Sequence, residues 1–278
     1  MKKWNVIIDV ENCNNCHMCV LATKDEYVGN SFPGYSEEMP RRGAQWIEMQ
    51  KKERGQTPMI DIAYLPTMCQ HCDDAPCIKA AENNAITKRE DGIIIIDPEK
   101  SKGQKQIVES CPHNSISWNE ELNIPQIWNF DAHLLDDGWK LPRAVSVCVT
   151  GAMKAIKANE SEIKELVEKE NLEVLNPEHK TKPRVYYKNL YRFNKCFIGG
   201  SIATIQKNLE DCVKNAKVEL YKDGIKINET LSDDFGDFKF DFLEPNSGKY
   251  SVNINYNEKN KQIDVDLGES KYIGNIYI

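Results

Sequence analysis

The sequence predicts an α+β protein with two parts, a cysteine-rich amino-terminal domain of mixed structure and a small all-β carboxy-terminal domain. Three observations support this division. Eight of the ten cysteines fall before residue 150, and six of them form two tight groups. Segments of similar pattern recur through the same region. From residue 196 onwards, apolar and polar residues alternate with the period of a half-buried β-strand.

Length, charge and cysteine placement exclude several classes of protein. The 278 residues suffice for two domains, and the net charge of −7 argues against nucleic-acid binding. No run approaches the roughly 18 apolar residues of a membrane span, and no signal peptide is visible at the start. Grouped cysteines are unlike a secreted disulfide framework. We therefore expect a soluble, cytoplasmic protein without membrane contact, whose thiols are kept for metal binding.

The first cysteine group has the spacing C-x2-C-x2-C and consists of Cys13, Cys16 and Cys19. It follows the apolar run Val6 to Val10, which predicts a β-strand leading into a ligand loop. The same spacing opens the bacterial iron–sulfur run C-x2-C-x2-C-x3-C. Thr23 occupies the fourth cysteine position, so a fourth thiolate must come from elsewhere in the chain.

The second group has the spacing C-x2-C-x4-C and consists of Cys69, Cys72 and Cys77. Here Ala81 stands in the fourth position. The outline C-P-x-x-A-I, with substitutions, recurs around Ala81, Cys111 and Cys148, which indicates an internal repeat. Cys111 and Cys148 therefore stand where the last cysteine of a run stands, each without the three that should precede it.

The two missing runs can be located by the same comparison. Ser101 marks the place where a third run would open, four residues after Asp97, as Cys13 follows Asp9. The segment 128–131, followed by Ala144, occupies the place of a fourth run.

Counting the thiolates predicts two complete clusters. In two-cluster ferredoxins the fourth cysteine of a run binds the other cluster. By this rule the ligands of cluster 1 are Cys13, Cys16, Cys19 and Cys148. The ligands of cluster 2 are Cys69, Cys72, Cys77 and Cys111. The two lost clusters disappear with all their ligands, a correlated pattern that favours two intact 4Fe-4S clusters and a degenerate double ferredoxin-like domain.

Several alternatives stay open at this point. The C-x2-C pairs are also compatible with zinc, and a three-cysteine run is compatible with a three-iron cluster. His17 and His71 lie inside the ligand loops and are interpreted as neighbours of the ligands rather than ligands. Cys196 and Cys212 are expected to be ordinary buried cysteines. No nucleophile–base pair, phosphate loop or open metal site is visible, so no catalytic residue is assigned.

Long stretches of the chain resemble a known family. They include Cys69–Cys77, Arg89–Ile93, Asp97–Lys100, Ala132–Asp137 and Thr181–Phe193. On these stretches the chain resembles the iron–sulfur subunits of molybdopterin oxidoreductases of the dimethyl-sulfoxide-reductase type, especially those of the transhydroxylase type. The resemblance covers nearly the whole chain.

The resemblance implies an electron-transfer subunit in a heterodimer. The large catalytic partner would carry molybdenum with two pterin guanine dinucleotides, and this chain would carry only its clusters. Family members typically carry four runs, and the third is already absent in the transhydroxylase type. Here the fourth is absent too, at Thr23, Trp128, Asp131 and Ala144. Hydroxyl transfer needs no net electron flow, so a shortened row of clusters is compatible with it.

The remaining segments predict the domain limits. We expect an iron–sulfur domain at 1–155 with an insertion at 24–66, a connecting helix and tail at 156–195, and a β-sandwich at 196–278. Within the insertion, residues 45–54 predict a strand at a partner surface or, equally, a solvated loop. Ser161 is expected to cap a helix ending near Asn171. The extended tail 177–195 is expected to lie along a partner or on its own domain.

The last domain predicts about seven strands, with turns at Asp223-Gly224, Phe235-Gly236 and Ser247-Gly248. We expect an immunoglobulin-like or prealbumin-like sandwich with an interaction or stabilising role. Two other functions remain open: a structural subunit whose clusters only stabilise the fold, and a free-standing ferredoxin-like carrier.

Overall fold

The computed structural model describes residues 1–206 and 208–278 and divides into two compact units. The first comprises Met1–Lys51 and Tyr64–Leu190, and the second comprises Lys52–Ala63 and Tyr191–Ile278. Residues 52–63 thus group with the second unit, although the sequence analysis assigned them to an insertion in the first domain. None of the helices in the described part of the chain is long and apolar enough to span a membrane.

Short helices and strands alternate up to residue 195. The strands are β1 (Lys3–Asp9), β2 (Ile47–Gln56), β3 (Met59–Met68), β4 (Ile86–Lys88), β5 (Ile94–Ile96), β6 (Ser117–Asn119), β7 (Ile124–Gln126), β8 (Met153–Ala158) and β9 (Val185–Lys188). The helices are α1 (Met18–Tyr27), α2 (Pro76–Ala80), α3 (Gln106–Glu109), α4 (Ala132–Asp136), α5 (Arg143–Ser146), α6 (Glu160–Glu170) and α7 (Tyr191–Asn194), with a 3-10 turn at Pro177–His179.

A three-stranded sheet in the order β8-β1-β9 organises the first unit. Its central strand contains the predicted apolar run, and Val6 and Ile8 are fully buried. Strand β1 is antiparallel to β8, with Ile8 opposite Met153, and parallel to β9. The antiparallel pairing places the end of β1 beside the beginning of β8. The hairpins β2-β3, β4-β5 and β6-β7 account for the other strands before β8.

Helix α6 confirms the predicted helix, but its cap differs from the prediction. Asn159, not Ser161, is the N-cap residue. Its side chain accepts a hydrogen bond from the Glu162 N–H at 2.9 Å, and the Glu162 carboxylate accepts one from the Asn159 N–H at 2.9 Å. This complete capping box begins two residues earlier than the predicted cap, because a Glu stands three residues after Asn159 but not after Ser161.

The segment 177–195 is not the continuous extended tail that the sequence predicted. It contains a 3-10 turn, the strand β9 and the helix α7. Strand β9 pairs with β1 and buries Val185 and Tyr187. Of the two expected positions, packing on its own domain is therefore correct for this strand.

The second unit is rich in β-structure, as predicted. Its strands are β10 (Cys196–Gln206), β11 (Leu209–Cys212), β12 (Lys217–Lys222), β13 (Ile225–Leu231), β14 (Asp237–Leu243), β15 (Gly248–Tyr256), β16 (Lys259–Leu267) and β17 (Lys271–Tyr277). They form one four-stranded sheet of β11, β10, β14 and β17 and another in the order β13-β12-β15-β16. Two of the three predicted turns fall between strands, and the third, Ser247-Gly248, lies at the start of β15. One core, containing Ile198, Phe240, Val218 and Val252, takes side chains from both sheets.

A buried arginine connects three segments of the second unit. The Arg54 side chain is almost inaccessible to solvent; it donates to Asp61 and, at 2.9 Å, to Asp241, and its Nη1 also donates to the Lys195 carbonyl at 3.2 Å. Burial raises the pKa of Asp61, but hydrogen bonds from Arg192 and Arg54 outweigh it and lower the pKa from 3.8 to about 2. The stabilisation that the ionised Asp61 gives to the folded second unit is therefore present above pH 4 and is lost as the pH falls towards 2.

We expect Arg54→Ala to destabilise the second unit by about 2–3 kcal/mol, because it removes the buried cation shared by Asp61 and Asp241 and leaves each carboxylate with only its second partner, Arg192 or Lys239. Calorimetric unfolding of the full chain measures this as a lower melting temperature for the second unit. Lys214→Ala is the matched control, since its ion pair with Asp234 is exposed. An equal effect of the two substitutions would show that burial of the Arg54 pairs contributes nothing.

Candidate iron–sulfur centres

The first cysteine loop begins where β1 ends. The Asp9 carboxylate accepts hydrogen bonds from the Glu11 N–H at 3.0 Å and from the Asn12 side chain at 2.9 Å, and the Asp9 carbonyl accepts one from the Cys13 N–H at 3.2 Å. Asn15 has a positive φ of 61°, a conformation that Asn adopts more readily than most residues. Asp9 therefore turns the chain out of the sheet and into the loop that carries Cys13, Cys16 and Cys19.

Sheet pairing brings Cys148 to the same place. Cys148 shortly precedes β8, whose first residue pairs with the end of β1. Burial raises the pKa of the Cys13 thiol, and the neighbouring Cys148 and Cys16 sulfurs raise it further. Cys19 lies close to the same sulfurs, and burial raises the pKa of its thiol to about 11. The structure thus groups the four cysteines assigned to cluster 1.

The second set of cysteines converges on an apolar cavity. Cys69 follows β3, Cys77 lies in α2, and Cys111 lies just after α3. The cavity is lined by Cys69, Cys72, Cys77 and Cys111 and by Ile94, Ile96, Ile116 and Ile127. Burial raises the pKa of the Cys77 thiol to about 12, with Cys111 and Cys72 adding to the shift. The four cysteines assigned to cluster 2 are therefore grouped as well.

The donor sets fit iron–sulfur clusters chemically. All eight cysteines are free thiols. A group of four thiols in an apolar wall resists ionisation, so four thiolates can coexist there only when a strongly positive group compensates them. Among residues 1–206 and 208–278, no three His, Cys, Asp or Glu side chains are arranged to hold a single metal ion.

Hydrogen bonds from the chain also reach the sulfurs. The Met153 N–H donates to the Cys148 sulfur at 3.3 Å. In the first set, the backbone N–H of Asn15 lies near the Cys13 sulfur and acts against the rise in the pKa of that thiol. In the second set, the backbone N–H groups of His71 and Ile78 act in the same way on the thiols of Cys69 and Cys77. Such donors stabilise negative charge on sulfur and are among the factors that set cluster potentials.

The two sets differ in their access to solvent. In the first set Cys16 is exposed and the other three are half-buried, whereas Cys69, Cys72 and Cys77 are all buried. Three large apolar side chains close to the first set in sequence are also exposed, namely Met18 (38%), Leu21 (56%) and Val149 (73%). The first set therefore reaches the surface, whereas three cysteines of the second set lie inside the unit and only Cys111 is half-buried.

The positions of the lost third run are filled by packing and hydrogen bonds. Ser101, Gln104 and Ile107 precede Cys111 at the spacing of a complete run, and all three are buried. The Gln104 side-chain oxygen accepts a hydrogen bond from the Glu82 N–H at 2.8 Å. Ile107 lies in the same apolar cluster as the second set of cysteines. These residues occupy space that a third cluster would need.

The positions of the lost fourth run come together in the structure. The Asp131 carboxylate accepts hydrogen bonds from the Trp128 Nε1–H at 3.1 Å, the Tyr27 hydroxyl at 3.0 Å and the Ala144 N–H at 3.3 Å. Phe130 stacks on Trp128 with their ring centroids 5.0 Å apart. Thr23, also buried, donates its hydroxyl to the Cys19 carbonyl at 2.9 Å. An aromatic and hydrogen-bonded core therefore occupies these positions.

The histidines of the ligand loops have different surroundings. His17 is exposed at the beginning of α1. His71 is buried, and its Nδ1 accepts a hydrogen bond from the Ile94 N–H at 3.1 Å. Burial lowers the pKa of His71 to about 3, so its ring is neutral. Of the two cysteines outside the sets, Cys196 is buried, as predicted, but Cys212 is exposed on the short edge strand β11, where no apolar core covers it.

Sequence reasoning did not single out the residues that hold the second loop. Arg184 donates to the Asp73 carboxylate at 2.9 Å, and the Lys88 ammonium donates to the carbonyls of His71 and Cys72 at 2.9 and 2.8 Å. Thr181 lies close enough to the Cys72 sulfur to act against the rise that burial causes in the pKa of that thiol. Thr181 and Arg184 follow this loop by more than 100 residues, so no local spacing could have revealed them.

Comparison with known proteins agrees with this geometry. A family profile for the 4Fe-4S dicluster domain matches residues 60–158. The chain is 42% identical to the pyrogallol hydroxytransferase small subunit of Pelobacter acidigallici over 262 residues, 93% of each chain. It is 27% identical to the thiosulfate reductase electron transfer subunit of Salmonella typhi, over 59% of this chain and 81% of that one.

A third relative is the beta subunit of dimethylsulfide dehydrogenase from Rhodovulum sulfidophilum, which is 33% identical over 53% of this chain and 46% of that one. The resemblance found in the sequence is thereby confirmed. The chain belongs to the family of iron–sulfur subunits of dimethyl-sulfoxide-reductase-type molybdopterin oxidoreductases, together with the pyrogallol hydroxytransferase small subunit.

Proposed function

We propose that the chain is an electron-transfer subunit that carries two 4Fe-4S clusters and works in complex with a large molybdopterin catalytic subunit. The observation that carries this proposal is the grouping of eight cysteines into two sets of four, each drawn from distant parts of the sequence. Cluster 1 is assigned to Cys13, Cys16, Cys19 and Cys148. Cluster 2 is assigned to Cys69, Cys72, Cys77 and Cys111.

The same grouping supports a degenerate double ferredoxin-like fold for the first unit. Each set joins one three-cysteine run to the last cysteine of a repeat whose own run has been lost. For the second unit we propose an immunoglobulin-like or prealbumin-like sandwich, because two four-stranded sheets share one core. The expected location is the cytoplasm, where thiols stay reduced.

The names of the relatives support a catalytic partner, since each describes one subunit of a larger enzyme. We place the molybdenum bis-pterin guanine dinucleotide in that partner and expect a heterodimer. The similarity to a pyrogallol hydroxytransferase subunit supports hydroxyl transfer on a polyhydroxylated aromatic compound as the reaction of the complex. The partner is expected to cover the exposed apolar residues Met18, Leu21 and Val149 beside Cys16.

The residues of this chain insulate and tune rather than react. When bound, a 4Fe-4S cluster accepts and donates one electron with little change in geometry, and its potential depends on hydrogen bonds, net charge and exposure. The isoleucines around the second set exclude water, and the N–H donors stabilise negative charge on sulfur. The exposed Cys16 shortens the path from a docked partner to the first set.

Two other functions compete with this proposal, and one experiment separates them. The intact complex is mixed with a polyhydroxylated aromatic substrate and frozen on the time scale of turnover, and electron paramagnetic resonance (EPR) reports the cluster oxidation states. We expect cluster 1 to change its oxidation state at least as fast as turnover. Full activity with no such change would favour a purely structural subunit. Native protein that runs as this single chain would favour a free-standing carrier.

The assignment of Cys148 to cluster 1 and of Cys111 to cluster 2 predicts which cluster each substitution removes. We expect Cys148→Ser to remove or convert cluster 1 alone, since it takes one thiolate from that set, and Cys111→Ser to affect cluster 2 alone. Iron and acid-labile sulfide per chain, together with EPR, measure both. Cys212→Ser is the matched control, because this exposed cysteine belongs to neither set. Equal loss of both clusters in either variant would contradict the assignment.

Exposure predicts the order in which the clusters decay. Cys16 is open to solvent whereas three ligands of the second set are buried, so oxygen should destroy cluster 1 first. EPR spectra of the anaerobically purified chain, recorded at intervals after exposure to air, measure the two rates. Signals are assigned from Cys16→Ala and Cys77→Ala, each lacking one cluster. Equal rates, or earlier loss of cluster 2, would argue against the proposed burial of that centre.

A further inference from the structure

A segment that is remote in sequence runs along the second cysteine loop. The Asp73 and Asp74 N–H groups donate to the carbonyls of Lys182 and Thr181 at 2.9 and 3.0 Å, and the Arg184 N–H donates to the Gln70 carbonyl at 2.9 Å. We call residues 181–184 the strap. Three backbone hydrogen bonds to one short loop fix the strap against it, so a side chain on the strap has a defined position beside the sulfurs.

Thr181 is the strap residue that reaches the ligands. It is 3% exposed, and its hydroxyl lies close enough to the Cys72 sulfur to act against the rise that burial causes in the pKa of that thiol. Its oxygen also lies 2.9 Å from Nε2 of His113, two residues after Cys111. A threonine hydroxyl has one hydrogen to donate and lone pairs to accept with. If that hydrogen points to sulfur, His113 must carry its proton on Nε2 and donate to Thr181.

The surroundings of His113 agree with this direction. Its Nδ1 is buried and has no hydrogen-bond partner in the described part of the chain. With the proton on Nε2, Nδ1 is only an unfilled acceptor; with the proton on Nδ1, a buried N–H would be left without an acceptor. Orphaned buried N–H groups are rarer than unfilled acceptors. The direction His113 to Thr181 to Cys72 is therefore favoured, and a chain of donors in one direction strengthens each bond.

The first set has a corresponding threonine. The Thr150 hydroxyl lies 3.8 Å from the Cys148 sulfur, and its oxygen accepts a hydrogen bond from the Ala152 N–H at 3.3 Å. This acceptance leaves the hydroxyl hydrogen free to point at sulfur. Unlike Thr181, Thr150 is exposed. Each set of four cysteines thus has one threonine hydroxyl beside one sulfur, buried in one case and open to water in the other.

We propose that Thr181 and Thr150 are tuning residues that raise the reduction potentials of cluster 2 and cluster 1, respectively, each through a hydroxyl hydrogen bond to one cysteine ligand. This inference rests on the proposed cluster sites. A hydrogen bond to a thiolate withdraws negative charge and stabilises the reduced cluster, which carries one more negative charge, more than the oxidised one.

The effect of the buried hydroxyl should be the larger. Water can replace a lost hydroxyl at Thr150, because that position is exposed. The buried position of Thr181 offers no such replacement. The mechanism therefore predicts that loss of either hydroxyl lowers a potential and that the shift at Thr181 is the larger of the two.

The test is an EPR-monitored redox titration of the full-length chain carrying its clusters, in the complex with its partner. Thr181→Val, which keeps the size but removes the hydroxyl, should lower the midpoint potential of cluster 2 and leave that of cluster 1 unchanged. Thr150→Val should lower the midpoint potential of cluster 1, by a smaller amount, and leave that of cluster 2 unchanged. Thr181→Ser and Thr150→Ser should retain values near wild type, because the donor is kept. Each valine variant is thus the control for the other.

The outcomes separate the two levels of the proposal. A wild-type chain without two 4Fe-4S clusters overturns the proposed function. Two intact clusters whose potentials do not respond to either valine variant overturn the tuning role and leave the proposed function standing. If Thr181→Val fails to retain cluster 2, Thr181→Ala, which also removes the hydroxyl but is smaller, takes its place: an unchanged potential of cluster 2 in that variant then overturns the inference.

Discussion

The meeting of four sulfurs at one point is the constraint on which the first unit depends. A three-cysteine loop supplies three of them locally, but the fourth must be carried in by the fold. For the first set, the antiparallel pairing of β1 and β8 performs this task, because the loop leaves the end of one strand and Cys148 precedes the start of the other. A shift of this register would separate the sulfurs, and the sheet register is therefore part of the site.

The positions at which the cysteine pattern predicts two missing runs are filled in two different ways. At the fourth run, large aromatic rings and the hydrogen-bonded Asp131 fill the space, whereas at the third run a serine, a glutamine and an isoleucine do so. Both solutions satisfy the same requirement, because a cavity of cluster size would cost packing energy and would leave buried polar groups unpaired. Three hydrogen-bond donors thus stabilise the buried Asp131 carboxylate.

The sequence predicted what is encoded by spacing and failed on what is encoded by tertiary contact. Cysteine spacing and the repeat led to the grouping of Cys111 and Cys148 that the fold displays, and the period-two pattern led to the β-rich second unit. The cap of α6 was misplaced because Ser161 and Asn159 are both good caps, and only the Glu162 partner distinguishes them. The position of β9 was undetermined, since a short apolar segment with lysines pairs equally well with its own sheet or with another chain. Arg54 gave no signal, because its acidic partners are set by folding.

The difference in burial between the two sets has an electrostatic consequence. Reduction adds a negative charge to a cluster that four thiolates already make negative, and a buried apolar site disfavours that charge more than an exposed one does. The second set compensates from within the protein: Lys88 lies on the carbonyls of its loop, backbone N–H groups point at Cys69 and Cys77, and Thr181 lies at Cys72. The first set needs less of this, because water reaches Cys16. Under the proposed assignment, internal donors therefore compensate the charge of the buried centre, and solvent compensates that of the exposed one. The strap supplies one of the internal donors, and for this reason it belongs to the site although it is far from the cysteine loop in sequence.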